Sequence, residues 1–385
     1  MELYNRVITK LKKRQQIIVN GGINCIPSPF TRYRNTFIGV EQGQYIAVTA
    51  ATKGYKSQFS SFLFIYNSIL YSYRNPEKIV VNILYYPLEE TPETVIERFM
   101  SYLLYTLSNK TIRISPQNLR STNENEPLDD KILELLQSEE YSKILNYFLE
   151  CVHFYVDTNP TGIYNTCKEF IQTRGETIYK DIPIKDVITG KTKMVKGFNY
   201  FKPYKENEYN LIYIDHISLI STEKGMDLRE SINKLSEYLV MLRNRYNFTP
   251  IVIQQQVFNE TIDAFKIGKL KPTVTGLSDS KYVARDANLV LSLFTPYNYE
   301  LREYMGYDIT KFRKNITFLE VLVNRNGESN NVAPLYVDGA VTYFNELPLP
   351  TNTAAIQQIY NFINKTINTS KSFFAWTKKQ IKLNG

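Results

Sequence analysis

The segment Gln44–Ser57 is the feature that most constrains what this chain can fold into. An apolar run typical of a buried strand leads into a short loop, and a Lys-Ser pair then opens a helical pattern. Strand, loop, Lys-Ser and helix in this order are typical of a loop that cradles phosphate with its backbone N–H groups. The spacing is unusual, because Ala50 and Tyr55 stand where two glycines are expected and Gly54 comes one place early.

Composition narrows the class of protein. The 385 residues are 43% apolar and 22% charged, which is ordinary for one large globular core or two modest ones. No stretch has 18 consecutive apolar residues and the N-terminus lacks a secretory pattern, so we expect neither a membrane span nor a secretory signal. The three cysteines are an odd number without metal-ligand spacing, so we expect a cytoplasmic protein without disulfides. Two histidines argue against zinc sites and histidine triads. The net charge of +8 fits a polyanionic partner such as nucleic acid, or simply a solvated basic surface.

Strands and helices alternate between residues 36 and 346, which predicts an α/β domain with a mostly parallel central sheet and helices on both faces. Residues 1–35 are predicted to be a basic arm, 175–208 an inserted hairpin, and 347–385 a basic tail that is a loosely attached helix or disordered. Residues 109–130 are predicted to be a surface loop. The predicted strands are 45–50, 79–86, 153–157, 211–215, 250–255, 288–294, 317–323 and 333–344, and the main helices are 3–18, 56–73, 92–104, 162–174 and 227–246.

Asp215 supports the prediction of a phosphate-binding loop. It ends an apolar strand, as a magnesium-binding carboxylate does in nucleotide hydrolases. The alternative is an aspartate that only caps the following turn. We predict that Lys56 contacts the β- and γ-phosphates of ATP and that Ser57 and Asp215 hold Mg²⁺. The predicted nucleotide-binding residues are Ala50, Ala51, Thr52, Lys53, Gly54, Tyr55, Lys56 and Ser57.

Tyr55 raises a question about the backbone of this loop. A residue other than glycine at a position that needs a positive φ costs on the order of 1–3 kcal/mol. We therefore expect either that Gly54 takes over the turn or that Tyr55 weakens nucleotide binding. Because the other predicted ligands are present, we predict that ATP is still bound.

Further candidates stand at the ends of other strands, where ligands bind to parallel sheets. Glu89 or Glu90 could orient the attacking water, although both could be exposed acids at a helix start. Gln256 could contact the γ-phosphate and a DNA-facing loop, or simply begin a polar loop. Arg325 could reach a neighbouring subunit's nucleotide, or be a surface arginine. After Gln256, candidate DNA-binding residues that could instead be merely solvated are Lys266, Lys269 and Lys271.

The order of these segments resembles the C-terminal motor domain of DnaB-type replicative helicases, which are RecA-like P-loop NTPases, and above all phage versions of it. Four segments carry the likeness: Tyr86–Glu93 with Arg98–Met100, Leu211–Ile220, Ile251–Gln256 with Gly276–Asp279 and Arg285–Leu291, and Val323–Gly327. Residues 156–160 also fit the family's pattern. The resemblance, which covers about residues 36–346, implies that Glu89 is the catalytic glutamate and Arg325 the arginine finger that acts on the adjacent subunit.

The resemblance implies a ring, a hexamer in this family, that uses ATP and Mg²⁺ to move along single-stranded DNA during replication. A primase or a helicase loader is a further partner of such proteins. The family's N-terminal helical domain has no counterpart here, so a primase is not expected to bind through it, and residues 1–35 are expected to dock on the adjacent subunit. Two alternatives stay open: a RecA/RadA-like recombinase, and an ATP-binding replication scaffold or loader with impaired hydrolysis, which Tyr55 favours.

Overall fold

A computed structural model of the chain describes residues 2–34, 37–124, 126–185, 190, 192–257, 270–277, 281–329 and 331–365. The strands are β1 (Cys25–Pro27), β2 (Gly39–Glu41), β3 (Ile46–Ala50), β4 (Val80–Pro87), β5 (Val152–Phe154), β6 (Gly175–Lys185), β7 (Thr192–Pro203), β8 (Glu208–Asp215), β9 (Thr249–Gln255), β10 (Leu289–Phe294), β11 (Glu303–Tyr304), β12 (Tyr307–Asp308), β13 (Ile316–Asn324), β14 (Val332–Asp338) and β15 (Tyr343–Glu346). The α-helices are α1 (Glu2–Val19), α2 (Lys56–Ser60), α3 (Asn67–Arg74), α4 (Pro92–Leu107), α5 (Pro116–Leu119), α6 (Asp130–Gln137), α7 (Glu139–Cys151), α8 (Pro160–Gln172) and α9 (Leu228–Tyr246), then Tyr282–Asp286, Ile309–Phe312 and residues 353–365.

A nine-stranded sheet in the order β15-β14-β13-β10-β3-β9-β8-β4-β5 forms the centre of the fold. The six strands from β10 to β5 are parallel, whereas β13, β14 and β15 add antiparallel pairs at one edge. The predicted mostly parallel sheet is therefore confirmed. The stretch 333–344, predicted as one strand, is instead β14, a turn and β15, and the turn includes Thr342 with a φ of 52°.

Helices cover both faces of the sheet, as predicted. Side chains of α2, α3, α4 and α7 share one buried apolar cluster with β3, β4 and β8, and those of α8 and α9 share a second cluster across the sheet. β3 is buried along its whole length, because helices pack on it from both sides and strands flank it. The end of β3 is thus buried at the centre of the sheet, and the loop follows directly from it.

The helix after β3 extends from Lys56 to Arg74, close to the predicted bounds, but it is not a regular α-helix. Its middle, Ser61–Tyr66, is a π-helix between α2 and α3, and all six of these side chains are buried. A π turn inserts an extra residue, so it changes which side chains face the sheet on either side of it. The sequence periodicity alone gave no sign of this turn.

Local capping signals set other helix boundaries. Thr91 caps α4 through the N–H of Thr94, with Pro92 in the first turn. α9 begins with a capping box of Asp227 and Glu230, a device whose loss costs roughly 1 kcal/mol.

Three stretches differ from prediction. The predicted loop 109–130 contains α5, β5 ends at Phe154 rather than at 157, and part of the tail, residues 353–365, is a packed helix. That helix buries Ile356, Tyr360 and Ile363 in a third apolar cluster, so it is not loosely attached.

Two segments extend away from the core. α1 is exposed along most of its length and forms ion pairs from Lys13 to Glu206 and from Arg14 to Glu41. The insertion forms the predicted hairpin of β6 and β7, although most of the connection between the two strands, 186–191, lies outside the described residues. Along the described ranges, we find no helix with the length and apolar character needed to cross a bilayer.

Candidate nucleotide-binding site

The loop after β3 begins the candidate site. Lys53 and Tyr55 adopt positive φ angles of 61° and 65°, whereas Gly54 does not. Of the two alternatives, the one in which Gly54 takes over the left-handed turn is therefore wrong. Gly54 is needed for close approach instead, because a Cβ at this position would lie 2.8 Å from the carbonyl oxygen of Ala51 and 2.9 Å from the Cβ of Ala50.

The side chain of Tyr55 holds this unusual backbone in place. Its hydroxyl donates a hydrogen bond of 2.9 Å to the carbonyl oxygen of Lys314, and its ring packs edge-on against Phe344 in β15 at a centroid distance of 6.4 Å. Burial raises the pKa of Tyr55 to about 12, so the hydroxyl keeps the proton that it donates. These contacts offset a left-handed strain on the order of 1–3 kcal/mol. The loop is thus fixed without glycine at position 55.

Ser57 and Asp215 meet at the helix start that follows the loop. Asp215 ends β8, two strands from β3, and its carboxylate accepts a hydrogen bond of 3.0 Å from the Ser57 hydroxyl. The carboxylate is almost fully buried. Burial, with the nearby charge of Glu90, raises the pKa of Asp215 to about 7, while the bond from Ser57 and the charge of Lys56 act in the opposite direction. The structure therefore brings together Lys56, Ser57 and Asp215, three of the predicted residues.

These donors fit a magnesium ion that is shared with phosphate. A hydroxyl oxygen and a carboxylate oxygen are hard ligands, and Mg²⁺ usually takes one or two protein carboxylates together with phosphate and water oxygens. A buried carboxylate whose pKa is raised by desolvation also gains most from a nearby cation. Among the described residues, no group of three or more His, Cys, Asp or Glu side chains is arranged to hold a metal by itself.

The pKa of Asp215 predicts how stability depends on pH. Between about pH 4 and 7 the folded chain keeps a proton that the unfolded chain has lost, so rising pH destabilises the fold by up to about 4 kcal/mol. Asp215→Asn cannot titrate and should remove this loss. We expect the variant to be more stable than wild type at pH 8 but not at pH 4, measured as urea unfolding midpoints without Mg²⁺ or nucleotide. Asp130→Asn, a change at an exposed helix start, is the matched control, and parallel curves for wild type and Asp215→Asn would contradict the prediction.

The two glutamates after β4 occupy different environments. Glu90 is largely buried and forms a 2.5 Å ion pair with Arg98, and its Oε2 atom has no hydrogen-bond partner among the described residues. Glu89 is 47% exposed, and its carboxylate lies 3.9 Å from Nε2 of His216, the residue after Asp215. Glu89 is thus accessible to a water molecule at the mouth of the site, whereas Glu90 is committed to Arg98.

Gln256 directly follows β9 and is buried beside β3 and β10. Its side-chain oxygen accepts hydrogen bonds from Thr49 (2.9 Å) and Ser292 (2.6 Å), and its side-chain nitrogen donates one of 2.8 Å to the carbonyl of Thr273. Gln256 therefore connects β3 and β10 to the segment that follows the proposed DNA loop. Sequence reasoning missed these contacts of Thr49 and Ser292 with Gln256, although each is a lone hydroxyl in an otherwise apolar strand, which is a usable signal.

Arg325 lies at the end of the sheet where strand β3 begins, whereas the phosphate loop lies where β3 ends. Asn324 pairs with Leu289, which pairs in turn with Ile46 at the start of β3, whereas the loop follows Ala50 at its end. Ile46 and Ala50 are four residues apart along β3, which places the two ends of this strand about 13 Å apart. The structure therefore does not bring Arg325 to the phosphate loop of its own chain.

The guanidinium of Arg325 is anchored. Its Nε donates to the carbonyl oxygen of Ala287 at 2.9 Å, and a terminal nitrogen donates to the carbonyl oxygen of Arg285. The neighbouring Arg243 donates to Asn288 at 2.8 Å, and burial together with the charge of Arg325 lowers the pKa of Arg243. Two arginines thus lie side by side at this edge.

The predicted DNA contacts are only partly described. Lys271 is exposed, and its charge acts on the carboxyl group of Glu320, whereas Lys266 and Lys269 lie outside the described residues. A cleft of about 400 Å³ opens beside the first half of the phosphate loop rather than over Lys56 and Ser57. It is lined by Ala51, Thr52, Lys53, Gln255, Gln256, Val257, Asn298 and Tyr299.

Comparison with known proteins agrees with this architecture. Residues 165–346 match the model of the DnaB-like helicase C terminal domain, a stretch that contains Asp215, Gln256 and Arg325 and begins after the phosphate loop and Glu89. A solved ATPase domain has a TM-score of 0.59 and 14% identity over 90% of this chain and 99% of its own. A DnaB-like replicative helicase, solved in a study of its interactions with primase, has a TM-score of 0.58 and 13% identity over 89% of this chain and 66% of its own.

No curated protein sequence matches the chain. At these identities the structural matches establish the fold alone, and they confirm the predicted α/β class. The chain therefore has the fold of RecA-like helicase ATPase domains, and its residues 165–346 match the C-terminal domain of DnaB-like helicases.

Proposed function

We propose that this chain is an ATP-dependent DNA helicase, which assembles as a ring, a hexamer by likeness to its family, and moves along single-stranded DNA during replication. The observation that carries the proposal is the meeting of Lys56, Ser57 and Asp215 at one end of the parallel sheet, with Arg325 anchored at the other end. This division leaves each phosphate site without the Arg325 of its own chain. A neighbouring subunit could supply one.

Bound Mg²⁺ and ATP would supply the phosphoryl group and the charge that the residues stabilise. Lys56 would contact the β- and γ-phosphate oxygens, and Ser57 and Asp215 would hold the metal through oxygen atoms. Glu89 would orient the attacking water and accept its proton, and Arg325 of the next subunit would stabilise the charge of the transition state. Gln256 would couple this site to the segment bearing Lys266, Lys269 and Lys271, which would contact DNA phosphates.

The remaining assignments extend the same proposal. Residues 1–35 would act as an arm that docks on the adjacent subunit, 36–346 as the motor and 347–385 as a basic tail. A primase or a loader would be a partner, as the solved DnaB-like helicase studied with primase suggests. A phage origin, with action in the host cytoplasm, follows from the sequence resemblance alone.

A steady-state ATPase assay with and without single-stranded DNA, paired with strand separation on a forked duplex, tests the proposal. DNA-stimulated hydrolysis with unwinding supports it. Strand exchange on filaments would favour a recombinase instead. Tight ATP binding without turnover would favour a scaffold or loader, the alternative that the left-handed Tyr55 supports.

The two glutamates provide a prediction with separate readouts. Glu89→Gln should lower kcat for ATP about 10²–10⁴-fold and leave the fold intact, because Glu89 is accessible and would act on water. Glu90→Gln should instead lower stability by about 1–3 kcal/mol, because it leaves the partly buried Arg98 without its anion. Hydrolysis rates and urea unfolding of both variants check this. The assignment is wrong if Glu89→Gln hydrolyses ATP normally while folded Glu90→Gln does not.

A further inference from the structure

The inserted hairpin is a ribbon separate from the central sheet. β6 and β7 pair antiparallel over their whole lengths, from Gly175 opposite Pro203 to Lys185 opposite Thr192, with one bulge next to Tyr179. The proposed ATPase cycle uses no residue of this ribbon. β7 leads directly into the start of β8 along the chain. The ribbon therefore leaves the domain at the end of the sheet where the parallel strands begin, opposite the phosphate loop.

One face of the ribbon anchors it to the domain. Phe198 and Phe201 pack edge-on against Tyr246 at the end of α9, with centroid distances of 5.9 and 5.5 Å. The guanidinium of Arg245 lies 5.5 Å from the ring centre of Phe198. The base of the ribbon is therefore fixed, while the six residues from Lys180 to Lys185 continue for about 20 Å beyond it.

The other face is basic and apolar in alternation. Residues with the same parity along β6 share a face, so Ile178, Lys180 and Ile182 lie together with their partners across the ribbon. These partners are Tyr200, Gly197 and Val195, and Lys193 and Lys202 extend the same face, with Glu176 opposite Lys202. The side chain of Ile182 crosses over Gly197, where a Cβ would lie 2.1 Å from its Cδ1 atom.

The charge of the ribbon is unbalanced. Its two strands carry five lysines but only Glu176 and Asp181 as acids, which gives a net charge of +3. Lys196 pairs with Asp181 at 2.9 Å, and the other four lysines have no carboxylate within ion-pair distance among the described residues. Tyr200 is 41% exposed on the same face as Lys180 and Lys193. The face itself carries Lys180, Lys193, Lys202 and Glu176, a net charge of +2, which favours a polyanionic partner.

We propose that this face of the ribbon binds the phosphodiester backbone of nucleic acid, at a site separate from the loop after Gln256. Lysines on a ribbon act as mobile point charges that suit phosphate, and a two-stranded ribbon has the width to enter the major groove of a duplex. The exposed ring of Tyr200 can add stacking on an unpaired base. The inference adds a second DNA contact to the proposed function, but it does not depend on ATP hydrolysis.

The test is the charge-reversal variant Lys180→Glu with Lys193→Glu. Its matched control is Lys131→Glu with Lys224→Glu, two exposed lysines outside the ribbon. Binding of labelled duplex and single-stranded DNA is followed by fluorescence anisotropy between 50 and 200 mM salt, without nucleotide. We expect the ribbon variant to bind at least about tenfold more weakly at 50 mM salt, and the control to change less than about twofold.

A neutral variant separates a binding effect from misfolding. Lys180→Ala with Lys193→Ala should keep the thermal unfolding midpoint and reduce the slope of log K against log salt by about 1.8 for duplex DNA, as expected for two lost phosphate contacts. DNA binding equal to that of the control would overturn the proposal. Loss of binding to poly-glutamate, with DNA binding unchanged, would also overturn it and identify an acidic protein surface as the partner. Wild type that binds DNA through the ribbon but never hydrolyses ATP would reject the proposed function alone.

Discussion

Lys56→Ala is expected to lower the rate of ATP hydrolysis about 10²–10³-fold, because it removes a preorganised cation from the phosphate loop. The charge of Lys56 also acts on Asp215 and lowers its pKa. Without Lys56, that carboxylate should hold its proton to higher pH and bind Mg²⁺ less readily. Steady-state hydrolysis in the presence of single-stranded DNA, measured from pH 6 to 9, gives both effects.

Lys131→Ala is the control for this change. Lys131 lies in the first turn of α6, outside the phosphate loop, and its side chain is exposed. We expect Lys131→Ala to change the rate less than about threefold. Equal rates for Lys56→Ala and wild type would remove the phosphate-loop assignment, and with it the proposed hydrolase.

Arg325→Ala is expected to lower ATP hydrolysis about 10³–10⁵-fold, which is the range for loss of an arginine finger. Because Arg325 lies at the end of the sheet away from the phosphate loop of its own chain, nucleotide binding to that chain should be unchanged. Fluorescent-nucleotide binding and hydrolysis should therefore separate in this variant. Arg285→Ala removes a nearby charge that packs on Tyr282, and it should hydrolyse ATP nearly as wild type does.

Mixed assemblies provide the decisive form of the experiment. A subunit with Arg325→Ala keeps an intact phosphate loop, and one with Lys56→Ala keeps an intact Arg325. Co-purified assemblies of the two inactive variants should recover activity, with about a quarter of interfaces complete in a random one-to-one mixture. No recovery from a verified mixed assembly would show that the two residues do not serve one shared site.

The fold could be predicted where the sequence pattern is local. Parallel strands buried on both faces are near-continuous apolar runs, so β3, β4, β8 and β9 were recognisable within a residue or a few. The division of 333–344 into β14 and β15 was not, because it depends on a turn with a left-handed threonine. The π-helical segment Ser61–Tyr66 escaped for a related reason, since it is chosen by packing rather than by propensity.

The candidate site shows the same limit. The position of Asp215 beside Ser57 followed from strand ends meeting at one edge of a parallel sheet. The separate environments of Glu89 and Glu90 did not, because the partner of Glu90 is Arg98, eight residues further along the chain. Likewise, the role of Tyr55 depends on Lys314 and Phe344, which are far away in sequence. Pairings of this kind are set by tertiary packing.

The opposite positions of Ser57 and Arg325 along one sheet restrict the symmetry of any active assembly. In a two-fold dimer the same patch faces itself, so a single contact would have to present both edges at once. In a head-to-tail assembly, repeated from one copy to the next, each contact would bring the Arg325 end of one copy to the phosphate loop of the next. Specific activity should therefore fall steeply on dilution. Blocking the Arg325 end of one copy should inactivate the phosphate site of its neighbour rather than its own.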